Sequence, residues 1–323
     1  DKAFQGDTYY TAPNPPFGAV FTYHLKDGLK TRRERRHEVE KEADGDYAKM
    51  SYPSSDELRA EDEENDPSII LTVRDAAGNV VQRLTGPRTE GFHRVAWDLR
   101  YPSSRPVDAD PGPSAPWDSP RIGPLALPGT YSVTLASEVD GIVTELVGGQ
   151  SFEVVDLGGG TLPVDDPTGA LEFQRQAAEL QRAVLGAVEV AGEVGTRIEH
   201  LRLAILDTPR ADPAQLAELA AVEAELHDLL VVLRGDRSKA RRNEPVDPSL
   251  VDRVNRVVEG QLGTTQPPTG TSRDGYRWAS DAFAKTLEEL RAVDARLGAL
   301  EDDLEAVGAP WTPGRFPDWP RGD

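Results

Sequence analysis

The sequence predicts an α+β multidomain chain in two parts: an all-β sandwich followed by an antiparallel helical bundle of three to four helices. Three observations carry that expectation. Short runs with period-two alternation fill the first half, and apolar heptads fill the second. Between them stands Gly158-Gly159-Gly160, with no Gly-Lys-Ser/Thr behind it to make a phosphate loop, so it reads as a linker.

The first half is organised around Gly91 to Arg100. His93, Val95, Trp97 and Leu99 fall on one face of a ribbon there, and Phe92, Arg94, Ala96 and Asp98 on the other. Residues 1–16 are polar and aromatic, close with Pro13-Asn14-Pro15-Pro16, and read as an extended lead-in. The sandwich is expected over 17–157, beginning with the alternating run Phe17 to Leu25. A charged insertion, 26–67, interrupts it. Arg32, Arg33, Arg35 and Arg36 come first there, then Glu38, Glu40, Glu42, Glu57, Glu61 and Asp62, which suits a solvated segment with a helical turn or two and i,i+4 ion pairs. Alternation resumes at Ile69 to Val73, turns at Gly78-Asn79 and returns through Val80 to Leu84. The proline-rich stretch Tyr101 to Pro128 is irregular. Thr130 to Ser137, Ile142 to Val147 and Gln150 to Val155 bring the set to about seven short strands, the count of an immunoglobulin-like sandwich.

The linker, 158–165, leads to the expected bundle, 166–308. Asp166-Pro167, Asp212-Pro213 and Asp247-Pro248 each set a capping acid before a proline suited to the first helical position. Phe173, Ala177, Leu180, Val184, Ala187, Ala191, Val194, Ile198, Leu201 and Ile205 form an unbroken seam of fours and threes. Leu216 to Leu233 and Leu250 to Val258 carry two shorter seams, and a last helix from about Tyr276 carries Phe283, Leu290, Val293, Leu297, Leu300 and Leu304. Short loops between such helices imply antiparallel neighbours. The tail, 309–323, is rich in Pro and Trp.

Composition narrows function. The 323 residues carry a formal net charge of -20, which repels nucleic-acid backbones, so no nucleic-acid partner is expected. There is no cysteine, hence no disulfide or thiolate chemistry. No apolar run reaches the roughly 18–20 residues of a membrane helix. With Asp1 in place of an initiator methionine, the chain is expected to be a fragment or processed product whose signal peptide lies upstream.

No constellation announces catalysis, and no cofactor is expected. The five histidines show no metal-type spacing. Asp108, Asp110 and Gly112 echo the opening of a calcium loop without its closing glutamate, which leaves Asp108 and Asp110 as a candidate calcium pair. Trp97-Asp98 is the most tempting carboxylate for a glycosidase-type acid, set against a reading with Trp97 in the core and Asp98 at a strand end. Tyr101, Trp117, Trp311 and Trp319 could serve as stacking platforms for a glycan or protein ligand.

The hairpin Asp75, Gly78 and Val81, the strand Gly91 to Arg100 and Pro128-Gly129-Thr130-Tyr131-Ser132-Val133 together resemble the immunoglobulin-like domain also found in flagellar hook-capping proteins. Asn14-Pro15-Pro16-Phe17-Gly18-Ala19-Val20, Trp97-Asp98-Leu99-Arg100 and Gly308-Ala309-Pro310-Trp311-Thr312 resemble the C-terminal region of large secreted bacterial BNR-repeat or sortilin-type propeller "glycosyl hydrolases". That resemblance implies a non-catalytic accessory region, extracytoplasmic or secreted, whose partner is an upstream propeller of the same polypeptide. The alternatives are a carbohydrate- or protein-binding module and a glycoside hydrolase with an acid pair assembled from distant carboxylates.

Overall fold

The computed structural model describes residues 12, 14–43, 52–107, 121–158, 164, 166–317 and 319. The fold is α+β, with seven helices and two antiparallel sheets among the described residues. The chain divides into two compact units, one of Asp1–Pro102 with Ile122–Pro163, the other of Ser103–Arg121 with Val164–Asp323.

In the first unit β1 (Ala19–Leu25) pairs antiparallel with β4 (Gly91–Trp97) as a two-stranded sheet. The second sheet has the order β3-β2-β5-β6, from β2 (Ser68–Asp75), β3 (Val80–Gly86), β5 (Gly129–Val139) and β6 (Ile142–Val154). Alternation sets the faces: Ile69, Leu71 and Val73 of β2 are buried, while Ile70, Thr72 and Arg74 between them are half-buried. The β2–β3 turn follows from Asp75, whose carboxylate accepts from the amides of Ala77 and Asn79.

Trp97 closes the core from the other sheet. It is fully buried, 5.3 Å from the Tyr131 ring and 6.1 Å from Phe152, and its Nε1–H donates to Arg100 O at 2.9 Å. That bond needs a turn, so β4 stops at Trp97 and does not run on to Arg100 as the alternation suggested. Leu99 takes φ 60°, and the Asp98 carboxylate receives the Arg100 amide at 3.1 Å. Gly18 lies against the same strand end with φ 104°, and a Cβ there would sit 1.9 Å from Trp97 O. Gly18→Ala is therefore expected to destabilise this unit by on the order of 2 kcal/mol, read as a lower urea midpoint at unchanged slope.

Among the described residues six strands appear where about seven were expected. Ile142 to Val147 and Gln150 to Val155 fuse into β6, because register shifts between Val133 and Leu135 and again at Ala136 absorb the extra residues around Gly148-Gly149. The insertion is more ordered than a turn or two. It holds α1 (Arg32–Glu42) and α2 (Ser55–Glu63), each started by a capping box, Thr31 with Glu34 and Ser54 with Glu57.

Among its described residues the second unit carries α3 (Pro167–Asp207), α4 (Ala214–Arg234), α5 (Arg237–Ala240), α6 (Leu250–Leu262) and α7 (Gly270–Ala306), five helices rather than three to four. Their seams meet in one core that includes Val184, Ala191, Ile198 and Leu201 of α3, Leu219, Leu226 and Leu233 of α4, Val254 and Val258 of α6, and Leu290, Leu297 and Leu304 of α7. Asp166 caps α3 through Gly169 N at 2.8 Å. Asp247 does not cap α6: Ser249, with Asp252, closes a capping box two residues later. The extra one-turn helix α5 forms because Asp236 accepts from the amides of Ser238 and Lys239. Helix α7 starts at Thr269, well before Tyr276, and keeps Gly275 inside it, where a Cβ would press to 3.2 Å from Val257 Cγ2 of α6.

Candidate interaction surfaces

Strand β6 forms one edge of its sheet, and among the described residues it is hydrogen-bonded only to β5. Its first half is unusually apolar for an edge. Ile142 and Val143 are 69% and 61% exposed, and Leu146 and Val147 are exposed as well. By register Val147 lies opposite Leu135 and Ile142 opposite Val139. Edge strands are normally blunted with charge, lysine above all, or with proline; the stretch Ile142 to Val154 has no lysine or proline and carries Glu145, Glu153 and two bulges instead. The sequence signal was available: Ile142-Val143 and Leu146-Val147 break the apolar–polar alternation expected of a half-solvated strand. The small sheet adds exposed Val20 and Phe92, the latter ring tilted by 50° against His24 at 4.6 Å.

Several cations and carboxylates of the insertion pair with each other. Arg36 holds Glu61 through two bonds of 2.7 and 2.8 Å and Glu40 at 2.6 Å, and Arg33 pairs with Asp62. Most of these pairs join α1 to α2 and are not the i,i+4 pairs expected. Arg88 ties the insertion to the end of β3: it donates to Glu34 at 2.8 and 3.1 Å and to Leu29 O at 2.7 Å. The Arg88 guanidinium, with the Thr31 amide, holds the Glu34 carboxyl down at about 2 from an ordinary 4.5. A depressed carboxyl contributes stability that is present above the ordinary value and lost as pH falls towards 2. With Glu34 47% exposed, that contribution is about 1 kcal/mol after solvent screening. Urea titrations at pH 6 and at about pH 2.5 should differ by this amount more in the native chain than in Arg88→Met.

In the second unit Arg197 of α3 forks onto Glu301 of α7 with bonds of 2.9 and 2.7 Å, and reaches Asp294 at 2.6 Å. Hydrogen bonding to Glu301 raises the Arg197 guanidinium further above its usual range. Glu301 is only 4% exposed.

The aromatic candidates do not form one group. Tyr101 is half-buried against the Trp97 core in the first unit. Trp311 and Trp319 are exposed in the second, Trp311 donating from Nε1 to Arg315 O at 2.8 Å. Trp117, Asp108 and Asp110 lie outside the described residues. Asp98 serves its strand end, as above. The ring nitrogens of His93 and His200 each bond a backbone carbonyl one turn or strand-step away, Thr89 O and Thr196 O. Among the described residues no group of three or more histidine and carboxylate side chains is arranged to hold a metal, and no helix is long and apolar enough to cross a membrane.

No family model, no curated protein and no solved structure matches this chain.

Proposed function

We propose that the chain is a non-catalytic accessory region of a larger secreted propeller protein. In this reading the two sheets are the layers of an immunoglobulin-like sandwich, the helices are an antiparallel bundle, and the sheet unit docks on the propeller of the same polypeptide. The observation that carries it is the apolar edge of β6, with Ile142, Val143, Leu146 and Val147 exposed and strand hydrogen-bonding groups open beside them. Such an edge is a template for pairing with another protein surface. The reading also fits a chain whose buried aromatic and aliphatic side chains build two cores.

The test is hydrogen exchange along Ile142–Val147 in the isolated chain and in the same chain mixed with the propeller portion of its parent polypeptide. The expected result is slowing of about tenfold or more on mixing, abolished in Ile142→Lys/Val147→Lys. Exchange unchanged by the propeller would overturn the docking reading. A carbohydrate-binding role has one observation in its favour, the exposed Trp311, Phe316 and Trp319 of the tail. Quenching of tryptophan emission by neutral oligosaccharides, lost in Trp311→Ala/Trp319→Ala, would mark that role instead.

A further inference from the structure

The insertion between Leu29 and Pro67 is folded without a core of its own. Among the described residues α1 and α2 bury no side chain, and neither hydrophobic cluster of the sheet unit takes one from 30–66. Its two roots are fixed. Leu29 N donates to Arg88 O at 2.9 Å while the Leu29 side chain packs against the cluster of Tyr23, Leu25, Ile69 and Leu71, and Pro67 is buried. Arg32 N donates to the Glu64 carboxylate at 2.5 Å, which draws the start of α1 against the residue that follows α2. The insertion is therefore a closed lobe on a narrow base.

Charge joins this lobe to the strands. Arg88, two residues past β3, donates to Glu34 of α1 at 2.8 and 3.1 Å and lies 3.5 Å from Asp66. Arg32, the first residue of α1, donates to Asp140 in the β5–β6 turn at 2.9 Å. The three carboxylates are between 37% and 82% exposed, so water and salt reach all of these pairs. Exposed pairs are individually weak. Their reach falls from about 10 Å at 0.1 M salt to about 3 Å at 1 M. The strands stand on a different footing, because Ile69, Leu71, Val73 and Trp97 are held by apolar burial, which ions do not screen. Once off the sheet, helices of 11 and 9 residues are too short to persist by themselves.

We propose that the α1–α2 lobe is an electrostatic latch, closed on the strands at low ionic strength and released from them, as an opening unit separate from the sheets, when salt rises. Arg88 and Arg32 are its two catches. Release takes the Arg32 cation away from Asp140, two residues before Ile142, so the state of the latch sets the charge beside the apolar start of β6. The latch concerns contacts within the sheet unit alone and does not depend on the docking reading above.

The experiment is hydrogen exchange of the whole chain, followed by mass spectrometry at about 0.05 and about 1 M sodium chloride and normalised to an unstructured peptide in the same buffer. Amides of α1 and α2 should exchange about tenfold or more faster at the higher salt, while those of 69–73 and 131–135 change by less than about twofold. Arg32→Gln/Arg88→Gln should bring the fast exchange at low salt and cut the salt effect to about twofold or less. Arg83→Gln, at an exposed arginine of β3, should leave both as in the native chain. The sheet amides in the same experiment verify that each variant is folded. Exchange of α1 and α2 that ignores salt, acceleration of sheet and lobe together, or a salt effect that survives the double substitution would overturn the proposal.

Discussion

Trp97→Ala is expected to cost the sheet unit about 3–5 kcal/mol, the largest loss available to one side chain there. The indole has no exposed surface and contacts the Tyr131 and Phe152 rings of the other sheet, so truncation removes transfer energy and leaves a cavity in that shared core. It also removes the Nε1–H bond to Arg100 O that fixes the turn after β4. Trp97→Phe keeps much of the volume and loses the donor, so it should fall about midway. Urea unfolding followed by far-UV circular dichroism separates the two. A loss under about 1 kcal/mol for Trp97→Ala would mean that the two sheets do not share this core.

Arg197→Ala should cost the helical unit a comparable amount, about 3–5 kcal/mol, for a different reason. Glu301 is almost wholly buried, and its two carboxylate oxygens take their bonds from Arg197. Without the guanidinium a charge is left desolvated between α3 and α7. The pair itself is a weak source of net stability, because each ion gives up its hydration to enter the interface. The double substitution Arg197→Met/Glu301→Leu is therefore expected to recover most of the loss, to within about 1 kcal/mol of the native chain. Thermal unfolding of the single and double variants completes the cycle. Additive losses would show that the two side chains act independently.

The helical half was the more legible in sequence, and the reason is periodicity. Every member of the α3 seam from Phe173 to Ile205 is buried apart from Leu180, which is half-buried, because one helix face must meet a partner and the sequence has to record that face. What pairs with what is not periodic. Arg197 with Glu301 and Arg36 with Glu61 are contacts across 104 and 25 residues, and nothing in the local composition singles them out from the other charges. Helix starts were half legible. Asp166 caps where its proline suggested, while Ser249 and Thr269 won over Asp247 and Tyr276 by hydrogen bonds to amides that only the folded turn presents.

In the sheet half, Gly148-Gly149 read as a break, and bulges carried one strand through it. The apolar edge of β6 was visible as a fault in alternation but had no meaning until the strand order placed it outermost.

The second unit is not one continuous length of chain. Ser104 Oγ donates to Gln181 Oε1 of α3 at 2.5 Å, and Arg105 reaches Glu259 of α6 at 3.5 Å, so residues from before the last two strands are built into the helices. A recombinant product beginning at Val164 would omit them, exposing the Gln181 and Glu259 groups that they satisfy. By the same connectivity, a protease cut in the glycine-rich linker would yield two polypeptides that co-elute, the upstream fragment remaining anchored by its own Ser104 and Arg105.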